Sequence, residues 1–199
     1  VGFAIEDQAL KGITLERGEY LEADHVVLSL GHSARDTFEV LFKAGVYMEA
    51  KPFSVGFRIE HPQSVIDRAR LGPHAGHPLI GAADYKLVHH AKNGRSVYSF
   101  CMCPGGTVVA ATSEPNRVVT NGMSQHSRNE RNANSGLVVT VERQDMAPWE
   151  RFPGDPLAGI AFQKHWEQLA FTSGGGNYRA PGQWVQDFLA RRASGQEDD

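Results

Sequence analysis

Residues Val26–Asp36 read VVLSLGHSARD, and this stretch decides the fold. An apolar run, Val26–Leu30, stops at Gly31, and a polar turn of His32 and Ser33 follows. Phe38, Leu41 and Phe42 then recur at helical spacing, with Gly45 as the stop. The order is buried strand, glycine turn, helix. In open α/β sheets ligands sit beyond the carboxyl ends of strands, where a helix N-terminus offers free N–H groups to an anion. Gly31 has no Cβ and lets backbone approach a ligand closely, and Arg35 would set a fixed positive charge beside a phosphate. The same pattern also fits an ordinary βα turn.

Working outward, Gly18 supplies the turn of a hairpin between Ile13–Leu15 and Tyr20–Leu21, which feeds the apolar run. Beyond Lys51-Pro52, Phe53, Val55, Phe57 and Ile59 alternate with Ser54, Gly56, Arg58 and Glu60, the period of a half-buried strand. His61-Pro62 opens a short helix that Gly72-Pro73 ends. Tyr85–His90 and Ser96–Cys101 read as strands about the turn Asn93-Gly94. Thr107–Thr112, Val118–Thr120 and Leu137–Val141 also read as strands, with Asn121-Gly122 as a turn. Met123–Ser135 is polar and lacks periodicity, and Asp145–Gly154 reads as a linker. Asp155-Pro156 caps a helix carrying Phe162, Trp166 and Leu169, which Gly174–Gly176 stop. Pro181 opens a last helix with Trp184, Val185, Phe188 and Leu189 on one stripe.

The chain has 199 residues and a formal net charge of −3, with no basic block, which disfavours nucleic acid as a partner. No apolar run approaches the ~20 residues of a membrane span, and the start shows no charged-then-apolar leader. Two cysteines are too few for a disulfide scaffold and suit a reducing cytoplasm. The opening on Val1 and the solvated tail after Arg192 are what a piece of a longer protein would show.

Six stretches together resemble one family: LGHSARDTF (30–38), KPFSVGFRIEHPQ (51–63), SFCMCPGG (99–106), SEPNRVVTNGMS (113–124), NANSG (132–136) and YRAPGQ (178–183). They are similar to bacterial FAD-dependent dehydrogenases of the NAD(FAD)-utilising kind, whose substrates are undefined. The resemblance runs from about Glu19 to about Leu189. It implies mixed α+β architecture: part of a nucleotide-binding α/β FAD domain with an inserted β-rich substrate domain. The expected divisions are 1–52 for the partial FAD segment, 53–177 for the insert, and 178–199 for a return helix and tail. The resemblance likens residues 30–32 to a loop passing near FAD. Leu30 stands where the family carries a small or hydroxyl residue, leaving Ser29 to supply that hydrogen bond. The family's G-x-G-x-x-G cradle is not in this sequence, so the chain alone is expected to hold no FAD and to be inactive.

The candidate residues follow. Gly31, His32, Ser33 and Arg35 are expected near FAD, and Gly105 and Gly106 near flavin or substrate. Cys101 and Cys103 share a strand face if the strand is regular, but thiol redox pairs normally have two intervening residues. Zinc on these cysteines with His74, His77, His89 or His90 fails on spacing, and no metal is expected. Arg58 either pairs with Glu60, a contact worth ~0–1 kcal/mol at a surface, or grips an anionic substrate. Asn116 and Arg117 are further substrate candidates. His61 is a candidate proton donor, or caps the helix after Pro62. NAD(P)H is the expected second redox partner, beside an unknown small-molecule substrate. Self-association through the sheet edge at Val26–Leu30 is expected. The competing classes are a non-catalytic β-rich binding module and a thiol or metal sensor built on Cys101 and Cys103.

Overall fold

The computed structural model describes residues 1–195; the tail beyond lies outside the described residues. The elements in chain order are β1 (Gly2–Glu6), β2 (Ala9–Thr14), β3 (Tyr20–Glu22), α1 (Arg35–Lys43), β4 (Phe53–Pro62), α2 (Gln63–Leu71), β5 (Val88–His90), β6 (Ser96–Cys103), β7 (Gly106–Ala111), β8 (Val119–Ser124), β9 (Asn132–Val141), α3 (Arg143–Met146), α4 (Ala158–Ser173) and α5 (Val185–Leu189). Helices and sheets are mixed and the paired strands run antiparallel, an α+β architecture. The chain divides into two compact units, Val1–Pro52 with Glu142–Gln163, and Phe53–Val141 with Lys164–Asp199.

In the first unit, β1, β2 and β3 form one sheet, and the β2–β3 hairpin pairs Ile13 with Leu21 about Gly18 at φ +83°. Helix α1 ends as its sequence dictates: Gly45 sits at φ +79°, and the N–H groups of Gly45 and Val46 reach back to the carbonyls of Phe42 and Leu41. Asp155 ties the segment before α4. It is 1% exposed, accepts both forks of Arg151 at 2.6 and 2.9 Å, and accepts the Leu157 N–H at 2.9 Å. The Arg151 guanidinium also lies against the rings of Phe42 and Phe152. Residues expected to be a linker form α3 and a short 3-10 turn, Ala147–Trp149, with Met146 buried.

Val26–Leu30 is not a buried strand. It belongs to no ladder, and Val27 is 89%, Leu28 45% and Leu30 39% exposed. An apolar run specifies burial in a sheet, but a strand exists only where a neighbour accepts its N–H and C=O groups. No described strand pairs with it.

In the second unit the sheet order is β4-β9-β6-β5, with β7 and β8 as a separate hairpin. The alternation read at Phe53–Ile59 is realised in β4, which pairs with β9 over ten positions from Phe53↔Val141 to Pro62↔Asn132. Two expectations fail here. The strand at Tyr85–His90 is reduced to Val88–His90, because Tyr85 turns inward and is 9% exposed. Asn121-Gly122 lies inside β8 rather than at a turn. No helix among the described residues is long and apolar enough to cross a membrane.

Arg151, with help from the Leu157 and Arg151 backbone N–H groups, holds the Asp155 carboxyl at about 2, against 3.8 for the free group. The lowered value stabilises the folded state above the free carboxyl's range. That contribution, on the order of 2 kcal/mol, disappears as pH falls from about 4 to about 2. Acid unfolding followed by circular dichroism is expected to be less steep over this window in Asp155→Asn. An identical slope in both proteins would contradict the role given to this carboxylate.

Candidate functional site

Strand alternation sorts the candidates of the second unit onto two faces. On β4, Arg58 and Glu60 point to one side and Phe57, Ile59 and His61 to the other. Arg58 lies opposite Gly136 of β9, which has no side chain, so its guanidinium leans diagonally to Asn134 on the same face. NH1 donates to Asn134 Oδ1 at 2.6 Å and to the Cys101 carbonyl at 3.3 Å, and lies 4.0 Å from Cys103 Sγ. NH2 donates to Asn121 Oδ1 at 3.3 Å. Of the two alternatives for Arg58, the pairing with Glu60 is not formed; Glu60 accepts Asn132 Nδ2 at 2.6 Å instead.

The cysteines reach this cluster through a break in the ladder. The β6–β9 register shifts between Phe100 and Cys103, pairing Phe100 with Gly136 and Cys103 with Asn134, so β6 carries one extra residue. Cys101 sits in this bulge at φ +49°, a conformation that favours glycine. The bulge leaves Cys101 exposed and Cys103 buried, so they do not share a face as a regular strand would require. Cys103 Sγ lies 3.4 Å from the Cys101 carbonyl, which also receives Arg58.

Gly122 closes the cluster from β8. A Cβ there would lie 2.3 Å from both Arg58 NH1 and Asn134 Oδ1, and 2.7 Å from Cys103 Sγ. Asn134 is fully buried, and its Nδ2 has no hydrogen-bond partner among the described residues. The sequence offered Asn121 and Asn134 as polar candidates without joining them to Arg58, and it gave no sign of Gly122's place in the group. Gly122 and Asn134 stood in stretches read as a turn and as aperiodic polar chain.

Gly105 and Gly106 adjoin the cluster, but both are buried. The Gly105 N–H donates to Gln63 Oε1 at 2.8 Å, and its φ of +48° and the Arg128 carbonyl, 1.9 Å from a Cβ, admit only glycine. Gln63 also donates to Asp67 and to the Ala83 carbonyl, which fastens this turn to α2. Their backbone is thus engaged within the fold.

His61 lies on the opposite face from Arg58. Its Nε2 is 2.9 Å from the hydroxyl of Tyr85, whose proton is held more tightly because the ring is buried, with a hydrogen bond from Ser135 opposing. Its buried Nδ1 has no hydrogen-bond partner among the described residues. Arg117 is removed from Arg58: it donates to Glu114 at 2.5 Å, and Glu114 also meets Lys164 at 3.4 Å. The Asn116 N–H donates to the Tyr178 hydroxyl at 3.3 Å. No group of three or more His, Cys, Asp or Glu side chains suited to a metal ion occurs among the described residues.

In the first unit, Gly31, His32 and Ser33 form an exposed turn, and nothing would meet a Cβ at Gly31 within 4 Å. The turn leads into α1, whose N-cap, Ala34, has no side chain able to cap the helix. Arg35 faces inward: it is 3% exposed, and its NH2 donates to Gln163 Oε1 at 3.1 Å. The sequence showed a charge at this position but not its direction.

Two substitutions test the packing of the cluster. Cys101→Gly relieves the left-handed backbone and is expected to raise stability by about 1 kcal/mol in denaturant titration. Gly122→Ala sets a methyl group against Arg58 NH1, Asn134 Oδ1 and Cys103 Sγ, so the hydrogen-bonded cluster must shift, and is expected to cost about 1–3 kcal/mol. A neutral Gly122→Ala would show that β8 does not approach Arg58 and Asn134 as described.

A family model described as "FAD-dependent protein, C-terminal domain-like" matches residues 52–199. An uncharacterized protein of Clostridium beijerinckii is 50% identical over 191 residues, covering 95% of this chain and 34% of that protein. The chain therefore spans about a third of the length of this relative. With most of its length matched, the chain belongs to the family of FAD-dependent proteins with this C-terminal-like domain.

Proposed function

We propose that this chain is the central part of an FAD-dependent oxidoreductase of unknown substrate, comprising part of the FAD site and the substrate domain. The observation that carries the reading is the exposed apolar run Val26–Leu30, leading through the open turn at Gly31–Ser33 into α1. Membership of an FAD-dependent family supports it. The run has the character of an inner strand, and its sheet neighbours would come from the remainder of a longer protein.

The residues here fit part of an FAD site. Gly31, His32 and Ser33 are accessible, and the first N–H groups of α1 lack a side-chain cap, which suits an anionic nucleotide. Arg35 would support the turn from within rather than touch phosphate. FAD, when bound, supplies hydride-accepting redox chemistry; the protein orients it and excludes water. The dehydrogenase reaction, the use of NAD(P)H, a small-molecule substrate and a cytoplasmic setting belong to the same proposal. The 199-residue chain by itself should be inactive.

The full-length protein is expected to purify yellow with stoichiometric FAD, read from its absorption spectrum. Val27→Asp with Leu28→Asp should lower its flavin content, because charges would enter the apolar sheet. A full-length protein that is colourless and does not take up added FAD contradicts the proposal.

A further inference from the structure

Arg58 is a half-buried cation whose protein partners are all neutral. They are the Asn134 and Asn121 amide oxygens, the Cys101 carbonyl and the distant Cys103 sulfur. No carboxylate pairs with it among the described residues, although Glu60 shares its strand face. Arg117 shows the usual arrangement, compensated by Glu114. Arg58 is held in place by neutral acceptors but left electrically unsatisfied. Among the described residues its Nε–H and one NH2 hydrogen have no acceptor.

Asn121 adds to this surface. Its Oδ1 receives Arg58 and the Gly122 N–H, which fixes the amide and leaves its Nδ2 donors unengaged on an exposed residue. The buried Nδ2 of Asn134, whose Oδ1 also receives Arg58, is a further donor without a partner among the described residues. The strained bulge at Cys101 turns a carbonyl onto the guanidinium and so fixes its position. Unengaged donors and a fixed planar guanidinium with no carboxylate partner among the described residues describe a receptor for an oxyanion. A carboxylate matches two free N–H groups of a guanidinium in a bidentate pair.

We propose that Arg58 and Asn121 form a recognition site for the carboxylate of a small-molecule ligand. That this ligand is the oxidoreductase's substrate rests on the proposed function; the site itself does not.

The test uses the 199-residue chain with acetate, malonate and inorganic phosphate as probes, against chloride at matched ionic strength. Binding is followed by calorimetric titration and thermal unfolding. Saturable binding and a raised melting temperature with the carboxylates are expected. Asn121→Asp keeps both acceptor contacts while setting a carboxylate beside Arg58. It should melt higher without probe and bind carboxylates about tenfold more weakly, since one charge-assisted contact is then occupied internally. Arg58→Lys keeps the charge without the fork and should weaken binding to a similar degree. Absence of saturable carboxylate binding, binding of phosphate alone, or an unchanged response in Asn121→Asp each overturns the proposal. The flavin reading fails by the colour of the full-length protein and this site by titration of the chain, so the two failures are distinguishable.

Discussion

The ladder between β4 and β9 fixes the second unit. Its ten consecutive antiparallel pairs set every side chain of Phe53–Pro62 to one face or the other. A slip of one residue would exchange Arg58 with Phe57 and carry the guanidinium away from Asn134. Gly136 lies opposite Arg58, and this gap lets the guanidinium cross to Asn134. The bulge in β6 and the close approach of β8 at Gly122 then complete a polar cluster on one face. The same register sets His61 beside Tyr85 on the other face.

The first unit is arranged around a different contact. Asp155 anchors Arg151 and the residues preceding α4, and Arg151 lies against two aromatic rings. That arrangement is satisfied within the unit, and Arg35 NH2 likewise finds Gln163 there. The apolar side chains of Val27, Leu28 and Leu30 are instead exposed, and the proposed function rests on them. Exposed apolar surface of this kind marks a place where something else packs.

Much of this was legible from residue order. The alternation at Phe53–Ile59, the glycine stops at Gly45 and Gly72, and the hairpin at Gly18 appear where local chemistry specifies them. Asn132–Ser135 was not legible as strand, because Asn134 and Ser135 are polar yet fully buried, and hydrophobic period cannot reveal a strand whose interior positions are polar. Asn121-Gly122 has turn chemistry, but here glycine is required by the atoms packed above it. Arg58, Cys101 and Cys103 each stood out as candidates. Their convergence depends on a one-residue bulge that no local signal announced. At Val26–Leu30 the sequence expressed burial correctly as a tendency, while the partner needed to satisfy it is not among the described strands.

Amide hydrogen exchange at Val26–Leu30, compared between the full-length protein and the 199-residue chain, tests this account most directly. Protection in the full-length protein and rapid exchange in the chain alone are expected if the run enters a sheet supplied by the remainder. Rapid exchange in both would mean that the run is an exposed connector, and the assignment of the adjoining turn to a cofactor site would fall with it.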